Sequence, residues 1–224
     1  MRLSELLNVR PGVTAVIGGG GKTTLLRVLG EELASGGARV LLCATAKFFP
    51  FDGLPCLPDP TVEALEEALA SRRLVCAGTP VPGTGKLTAP AVPMARLAEL
   101  ADYVLAEADG SAGRPLKAHA PHEPPVPREA GQVICVVGAS GFGRPIGEAA
   151  HRPGLYARLA GVGEAAFASV ETEAAVLLAE GLHSRVFINQ VETQEDRGRA
   201  SSLAARLDCP AAAGALLRKE FAPC

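Results

Sequence analysis

A run of four glycines followed by a lysine and two threonines is the first feature of this sequence that could do chemistry. Residues 14–24 read T-A-V-I-G-G-G-G-K-T-T. Glycine has no Cβ, so the amides of residues 18–21 can turn toward an anion, and a helix beginning at Lys22 adds its own unpaired N–H groups. This pattern predicts a phosphate-binding loop in which Lys22 reaches the terminal phosphates and Thr23 holds Mg²⁺.

The motif is incomplete at its first position. A full Walker A pattern has a glycine six residues before the lysine, and this chain has Val16 there. The dinucleotide fingerprint G-x-G-x-x-G also fails, because its last glycine would fall on Lys22, Thr23 or Thr24. The alternative interpretation is a glycine-rich turn between a strand and a helix, with no ligand.

Two acidic residues follow a predicted strand in the middle of the chain, in the stretch L-A-E-A-D-G from Leu105 to Gly110. Ligands of open α/β sheets bind beyond the carboxyl ends of strands, and residues two apart in an extended chain share a face. Glu107 and Asp109 are therefore expected to face the phosphate loop, one holding Mg²⁺ and the other orienting the attacking group. The stretch also has the spacing of a D-x-x-G switch with Glu in place of the leading Asp. Which acid has which role stays open, and a capped turn with solvated acids is the alternative.

The next segment, from Arg114 to Pro124, is rich in proline and in cationic side chains. Arg114, Lys117, His119 and His122 are predicted to hold a second anionic ligand, such as a phosphorylated or oxyanion substrate. Zinc binding by the two histidines is one alternative, although no thiolate accompanies them. Exposed loop residues with no role in a site are the other.

A late segment, N-Q-V-E from Asn189 to Glu192, lies where GTP-binding proteins of this class keep N-K-x-D. Glu192 has one methylene more than the aspartate that accepts two hydrogen bonds from guanine, and Gln190 lacks the lysine stem that packs on the base. The nucleotide is therefore expected to be ATP or GTP, and a purely structural role for Asn189 is an equal alternative. The predicted nucleotide-binding residues are Gly18, Gly19, Gly20, Gly21, Lys22, Thr23, Thr24 and Asn189. The predicted catalytic residues are Lys22, Glu107 and Asp109, and the predicted metal ligands are Thr23, Glu107 and Asp109.

Composition limits the class of protein around these residues. The chain has 224 residues, of which 48% are hydrophobic and 21% are charged, so a single domain spanning residues 1–224 is expected. A net charge of −2 gives no general attraction to nucleic acid or to anionic membranes, and neither is an expected partner. The six cysteines show no C-x-x-C pair and are expected to be reduced thiols. With no long apolar segment, we expect a cytoplasmic location.

Apolar β-rich segments alternate with helical patterns along the chain. This alternation predicts an α/β fold of the P-loop NTPase kind, with a mostly parallel β-sheet flanked by helices. The predicted strands are 13–17, 39–44, 103–106, 132–138 and 185–189, and a small hairpin insertion is predicted at 74–87. The predicted helices are 22–35, 60–73, 92–101 and 193–207. Residues 48–60 are expected to be irregular, with their phenylalanines packed in a loop, and residues 117–129 and 139–152 are expected to be active-site loops.

Together with the glycine loop, the segment E-A-D-G-S-A-G-R-P-L-K-A-H-A-P-H-E-P at residues 107–124 resembles the YqeC family of selenium-dependent (molybdenum) hydroxylase accessory proteins. The resemblance runs the length of the chain. It implies a P-loop NTPase fold and a role in maturing the molybdenum cofactor, or a selenium-modified form of it, with the hydroxylase maturation machinery as partner. It also implies nucleotide contacts at Gly19, Gly20, Gly21, Lys22 and Thr23, with Glu107, Asp109, Arg114, Lys117, His119 and His122 nearby.

These observations lead to one expected function and two rivals. The expected function is binding of a Mg-nucleoside triphosphate, with hydrolysis or with phosphoryl or nucleotidyl transfer, in service of cofactor maturation. The first rival is a small-molecule kinase whose phosphoryl acceptor lies on the loop from Arg114 to His122. The second is a non-catalytic carrier of a pterin cofactor or an oxyanion, which would keep a degenerate loop at Val16.

Overall fold

A computed structural model describes residues 1–51 and 53–224 of the chain. The strands are β1 (Gly12–Gly18), β2 (Val40–Ala44), β3 (Cys56–Pro58), β4 (Leu74–Val81), β5 (Lys86–Thr88), β6 (Tyr103–Glu107), β7 (Leu116–Lys117), β8 (Ala130–Gly138), β9 (Ala150–His151), β10 (Arg185–Asn189), β11 (Ala211–Ala215) and β12 (Glu220–Pro223). The helices are α1 (Leu3–Leu6), α2 (Lys22–Ser35), α3 (Val62–Arg72), α4 (Met94–Leu100), α5 (Ile146–Ala149), α6 (Pro153–Leu159), α7 (Val170–Glu180) and α8 (Gln194–Ala204).

Ten of the described strands form one sheet in the order β12-β11-β10-β8-β1-β6-β2-β4-β3, with β5 paired to β4. Only β5 and β12 run antiparallel to their neighbours, so the remaining eight strands are parallel. The strands β7 and β9 form a separate parallel pair. The prediction of a mostly parallel sheet flanked by helices is confirmed. The pairing of β5 with β4 gives the predicted hairpin, which extends a strand of the main sheet.

Side chains of β1 alternate between the two faces of the sheet, as in any β-strand. Val16 packs with α1 and α2 on one face, whereas Ala15 and Ile17 join the core formed by α5 to α8 on the other. The helices α3 and α4 cover the same second face further along, over β2, β4 and β6. The sheet is thus buried on both sides, which is why its strands read as continuous apolar runs.

Helix ends follow the local sequence. The helix α2 begins after Gly21 and ends before Gly36. The helix α3 is capped by Thr61, whose side chain accepts a hydrogen bond from the Ala64 amide at 3.3 Å. The predicted helices 60–73, 92–101 and 193–207 are each a few residues shorter in the structure. The segment expected to be irregular, 48–60, contains the short strand β3, and Asp52 within it lies outside the described residues.

Parallel strands place their carboxyl ends at one edge of the sheet. Because β1 lies between β6 and β8, and β2 lies beside β6, the segments that follow these four strands meet there. These segments carry the glycine loop, the acids after β6, residues 45–51 and residues 139–141. None of the described helices has the length and hydropathy of a transmembrane segment.

Candidate functional site

The glycine loop joins β1 to α2 and is wedged between two other backbone segments. The Gly18 amide donates to Asp109 Oδ2 at 2.9 Å, the Gly19 amide to the Val136 carbonyl at 2.9 Å, and the Gly20 amide to the Arg114 carbonyl at 3.1 Å. In this structure these three amides are therefore bonded to acceptors of the protein itself. The loop is packed against strand β8 and the segment before β7, and these segments take its donors.

Close packing explains why this loop is made of glycine. Gly20 has φ of +72°, and a Cβ built on it would lie 2.4 Å from the Gly138 Cα. A Cβ on Gly18, where φ is +95°, would lie 2.3 Å from the Val136 carbonyl oxygen. Neither position accepts a larger residue without movement of the backbone.

The open donors of the site are at the start of α2. Within residues 1–51 and 53–224, the amides of residues 21–24 have no hydrogen-bond partner, and Gly21 provides no side-chain cap. Free N–H groups at the positive end of a helix of 14 residues are suited to an anion. Of the residues predicted to bind phosphate, those with free amides are thus Gly21, Lys22, Thr23 and Thr24.

The Lys22 ammonium lies between the two predicted acids. Its Nζ donates to the Gly18 carbonyl at 2.8 Å, and it is 3.1 Å from Asp109 Oδ1 and 3.9 Å from Glu107 Oε1. Both acids therefore lie beside the glycine loop, on the side toward which they were predicted to face. The lysine side chain is buried, and in this structure it folds back onto its own loop.

Asp109 is enclosed by donors. Its Oδ2 accepts hydrogen bonds from the Gly18 amide and from His119 Nε2 at 2.7 Å, and it lies 3.1 Å from Lys117 Nζ. Burial favours the neutral acid, but the hydrogen bond from His119 and the charges of Lys22 and Lys117 together lower the pKa of Asp109 below its ordinary value. Asp109 is thus a fixed, ionised anchor.

His119 lies between two carboxylates. Its Nε2 faces Asp109, and its Nδ1 is 2.8 Å from Glu180 Oε2, while its backbone amide donates to Glu180 Oε1 at 2.6 Å. Burial opposes the charge on the imidazole, but the hydrogen bonds to Asp109 and Glu180 outweigh it and raise the pKa of His119. Both ring nitrogens therefore act as donors, as in an imidazolium.

A second ion pair supports Lys117 from the opposite side. Its Nζ donates to the Gly110 carbonyl at 2.7 Å and lies 3.7 Å from Glu123 Oε2. Glu123 accepts two hydrogen bonds from Arg152, at 2.7 and 3.0 Å, and these, aided by Lys117, lower the pKa of Glu123 to about 2 despite partial burial. We refer to the connected set as the Asp109 cluster. Its members are Lys22, Glu107, Asp109, Lys117, His119, Glu123, Arg152 and Glu180.

Glu107 differs from Asp109 in facing the opening of the site. Its Oε2 accepts a hydrogen bond from Thr23 Oγ1 at 2.8 Å, and its side chain keeps 12% exposure. Burial is the main reason that the pKa of Glu107 is raised, although Lys22 and Thr23 oppose the shift. Two hard oxygen donors beside a phosphate site fit Mg²⁺. Glu107 and Thr23 are thus the better placed of the predicted metal ligands, since Asp109 Oδ2 is occupied by protein donors.

The four residues predicted to hold a second anion do not converge. Lys117 and His119 turn inward to Asp109, and the Arg114 guanidinium donates to the carbonyls of Gly147 and Glu148. His122 is exposed. The physical reason is the buried carboxylate of Asp109, which is stable as an ion only when cations surround it. The two histidines share no metal cluster, since the described residues contain no group of three or more metal-ligating side chains.

Sequence reasoning missed Glu180, Glu123 and Arg152. Glu180 is the last residue of α7 and is 61 residues from His119, so no local pattern joins them. The alternation K-A-H at residues 117–119 is the one signal that was present, because residues two apart on an extended segment face the same way.

Asn189 braces the loop. Its Nδ2 donates to the Gly20 carbonyl at 2.6 Å, and its Oδ1 accepts from the Leu216 amide at 3.1 Å. In this structure the side chain therefore makes structural bonds at both ends. Glu192, at the predicted guanine-reading position, accepts a hydrogen bond from Arg218 at 3.0 Å.

A cavity of about 1170 Å³ opens over the start of α2. Its lining includes residues 21–24 and Glu107, together with Leu216, Leu217 and Lys219. Residues 47–51, Lys86 and residues 110–113 also line it. The free amides, Lys22 and the Thr23–Glu107 pair all border this space, which is large enough for a nucleotide and a second small molecule.

The fold and site define an α/β protein with a glycine-rich loop at the carboxyl edge of a mostly parallel sheet. The family model for the YqeC protein matches residues 14–154, and the protein YqeC of Escherichia coli (strain K12) is 35% identical over 163 residues. The chain belongs to the YqeC family. The match covers 68% of this chain and 62% of that relative. Two solved structures of FtsY from Mycoplasma mycoides are also similar, with TM-scores of 0.46 and 0.47 and identities of 12% and 14%. Each covers 96% of this chain, and the chain covers 65% and 64% of them.

Proposed function

We propose that the protein binds a Mg-nucleoside triphosphate at the start of α2 and hydrolyses it, or transfers its phosphoryl or nucleotidyl group. The observation that carries this proposal is the position of Lys22. Its ammonium lies at the first turn of α2, beside four free amides and between two carboxylates, at the edge of a large cavity. Phosphoryl transfer requires mainly that such charges be positioned around the phosphates.

In the proposed complex, each group of this chain has a separate task. The amides of residues 21–24 and the Lys22 ammonium offset the charge of the phosphates. Thr23 and Glu107 hold Mg²⁺, which would supply charge neutralisation to the terminal phosphates. Asp109 stays in place, because Lys117, His119 and the Gly18 amide remain on it when Lys22 turns to the phosphates.

The biological role we propose is maturation of a molybdenum cofactor, or its selenium-modified form, for a hydroxylase. This role rests on the resemblance of residues 107–124 to the family described above. The same segment contains Asp109, Lys117 and His119 of the Asp109 cluster. The partners would then be a pterin cofactor or an oxyanion and the hydroxylase maturation machinery.

Calorimetric titration of Lys22→Ala with non-hydrolysable ATP and GTP analogues, with Mg²⁺ present, tests the proposal. We expect nucleotide affinity to fall at least about tenfold, because a charged hydrogen bond to phosphate is lost. Arg128→Ala is the control, since that side chain is 91% exposed and bonds only to its neighbour Glu129 among the described residues. Normal binding by Lys22→Ala, with its fold verified by circular dichroism, would show that the phosphate site is assigned incorrectly. The same titrations decide between ATP and GTP.

A non-catalytic carrier is the second candidate, and one observation favours it. The amides of Gly18, Gly19 and Gly20 bond to protein, which leaves the site fewer donors than an open loop of glycines would offer. Measurement of phosphate release from the triphosphate distinguishes the enzyme from the non-catalytic carrier. Turnover that is lost in Lys22→Ala supports the enzyme, whereas tight nucleotide binding without any turnover supports the carrier.

A further inference from the structure

One part of the cavity lining differs in composition from the predicted phosphate site. We call it the aromatic wall. Its members are Lys47, Phe48, Phe49, Phe51 and Lys86. Sequence reasoning treated these phenylalanines as loop packing, which holds for two of them: Phe48 and Phe51 are buried, with ring centroids 5.9 Å apart. Phe49 is different, because 62% of its surface is exposed beside the cavity.

The wall is held in place by the hairpin of β4 and β5. The Phe48 amide donates to the Leu87 carbonyl at 2.9 Å, and the Leu87 amide donates to the Phe48 carbonyl at 2.8 Å. Where the same loop begins, the Thr45 amide donates to the Glu107 carbonyl at 2.9 Å. The wall is therefore fixed both to the hairpin and to the strand that carries the candidate metal ligand.

Positive charge accompanies the exposed ring. The Lys86 ammonium lies 4.8 Å from the centroid of the Phe49 ring, and Lys47 is exposed at the same edge. Within residues 1–51 and 53–224, neither ammonium is paired with a carboxylate. The exposed ring, with Lys86 over one face and Lys47 in the same cavity lining, offers a face for stacking and two charges for an anion.

We propose that the aromatic wall binds the second ligand of the site, and that this ligand is a planar heteroaromatic molecule carrying a phosphate or similar anionic group. The Phe49 ring would stack on its plane, while Lys47 and Lys86 would hold its charge. The role as a second substrate rests on the proposed nucleotide function, because the wall lines the same cavity as the start of α2. The aromatic wall thus takes the role that the sequence suggested for the loop from Arg114 to His122. The cations of that loop contact Asp109 or backbone carbonyls instead.

Fluorescence anisotropy tests the proposal directly. The probe is flavin mononucleotide, and riboflavin is its phosphate-free counterpart; the chain has no tryptophan to interfere. Binding is measured with the nucleotide site saturated by a non-hydrolysable ATP analogue and Mg²⁺. A second, smaller probe, 1-naphthyl phosphate, is tested by competition against the flavin.

We expect Lys86→Ala to weaken flavin mononucleotide binding about tenfold and to leave riboflavin binding unchanged, since only the charged hydrogen bond is lost. Phe49→Ala should weaken both flavins about tenfold through loss of stacking. Arg128→Ala, which removes an exposed cation that does not line the cavity, should change neither. Failure of both anionic probes to bind, or binding that is insensitive to Lys86 and Phe49, would overturn the proposal.

The two proposals can fail separately. Lys22→Ala should lose nucleotide binding and keep flavin mononucleotide binding. Nucleotide binding without any probe binding overturns the aromatic wall alone, and probe binding without nucleotide binding overturns the nucleotide function alone. Mutual exclusion of the ATP analogue and flavin mononucleotide would place both in one subsite and would overturn the inference.

Discussion

Replacement of Asp109 by Asn is the sharpest test of the cluster, because it removes one charge and keeps the shape of the side chain. In the protein, this carboxylate lies 3.1 Å from both the Lys22 and Lys117 ammonium groups and accepts a 2.7 Å hydrogen bond from His119. Only 3% of the residue is exposed, so water cannot replace the lost partner. The variant would leave three buried cations facing a neutral amide.

The expected cost follows from these distances. At 3.1 Å and an effective dielectric constant of about 20, each ammonium attracts the carboxylate by about 5 kcal/mol before desolvation is subtracted. Removing one partner of a buried pair typically costs about 3 to 5 kcal/mol net. We therefore expect Asp109→Asn to lower the free energy of unfolding by about 3 to 5 kcal/mol, or Tm by roughly 6 to 20 °C.

Urea unfolding at pH 7, followed by circular dichroism, measures this change. Asp102→Asn is the matched control, since the Asp102 carboxylate makes a 2.9 Å ion pair with Arg39 but its side chain is 41% exposed. We expect that control to cost about 1 kcal/mol or less. Stability of Asp109→Asn within about 1 kcal/mol of wild type would refute the reasoning, because the cluster could not then be holding a buried ion.

The pH dependence gives a second check on the same variant. The pKa of Asp109 is lower in the folded protein than its ordinary value of 3.8. Its stabilisation is therefore complete above pH 3.8 and is lost as the pH falls through the folded pKa. The difference between wild type and Asp109→Asn should be full at pH 7 and should shrink in acid. A difference that grows on acidification would contradict the assignment.

Further predictions address other parts of the protein. The pKa of His119 is raised above its ordinary value of 6.5. The stability that His119 gives the folded protein is therefore complete below pH 6.5 and is lost as the pH rises through the folded pKa. The urea midpoint of His119→Gln should thus lie below that of wild type at neutral pH and approach it in alkali. Glu107→Gln should weaken the gain in triphosphate affinity that Mg²⁺ provides, by about tenfold in calorimetry, without changing Mg-free affinity. In wild type, the gain in triphosphate affinity from Mg²⁺ should decline on acidification. The pKa of Glu107 is raised, so this carboxylate takes up a proton, and stops binding metal, at a higher pH than an ordinary glutamate. Gly20→Ala should lower stability by about 2 kcal/mol or more, because its Cβ would lie 2.4 Å from Gly138. Gly198→Ala, inside α8 with nothing within 4 Å, should raise it by about 0.5 to 1 kcal/mol.

The elements that sequence reasoning placed well are those whose signals are local. The strand β10 has the predicted bounds because an apolar run marks it. The helix α2 has the predicted bounds because glycines flank it at both ends. The missed elements lack such signals. The strand β11 reads A-A-A-G-A, which has no strand propensity of its own and forms by pairing with β10 and β12. The helix α7 is apolar on more than one side, so it shows no clear amphipathic period.

The site shows the same division between local and distant causes. The Lys22 motif and the two acids after β6 could be predicted to meet, because parallel strands bring their carboxyl ends to one edge. The direction of the Lys117 and His119 side chains could not be predicted from the sequence. It depends on the burial of Asp109 and on Glu180, which the fold of α7 brings from 61 residues away.

Charge balance in the Asp109 cluster explains how the site could accept a triphosphate. With His119 protonated, the cluster contains four cations, Lys22, Lys117, His119 and Arg152, and four carboxylates, Glu107, Asp109, Glu123 and Glu180. Added phosphate charge must therefore be met by a cation that can move. Lys117 has no exposed side-chain surface, and His119 is bonded at both ring nitrogens, whereas Lys22 borders the cavity. Because Lys117 and His119 stay on Asp109, Lys22 can turn to the phosphates without leaving a buried acid unpaired.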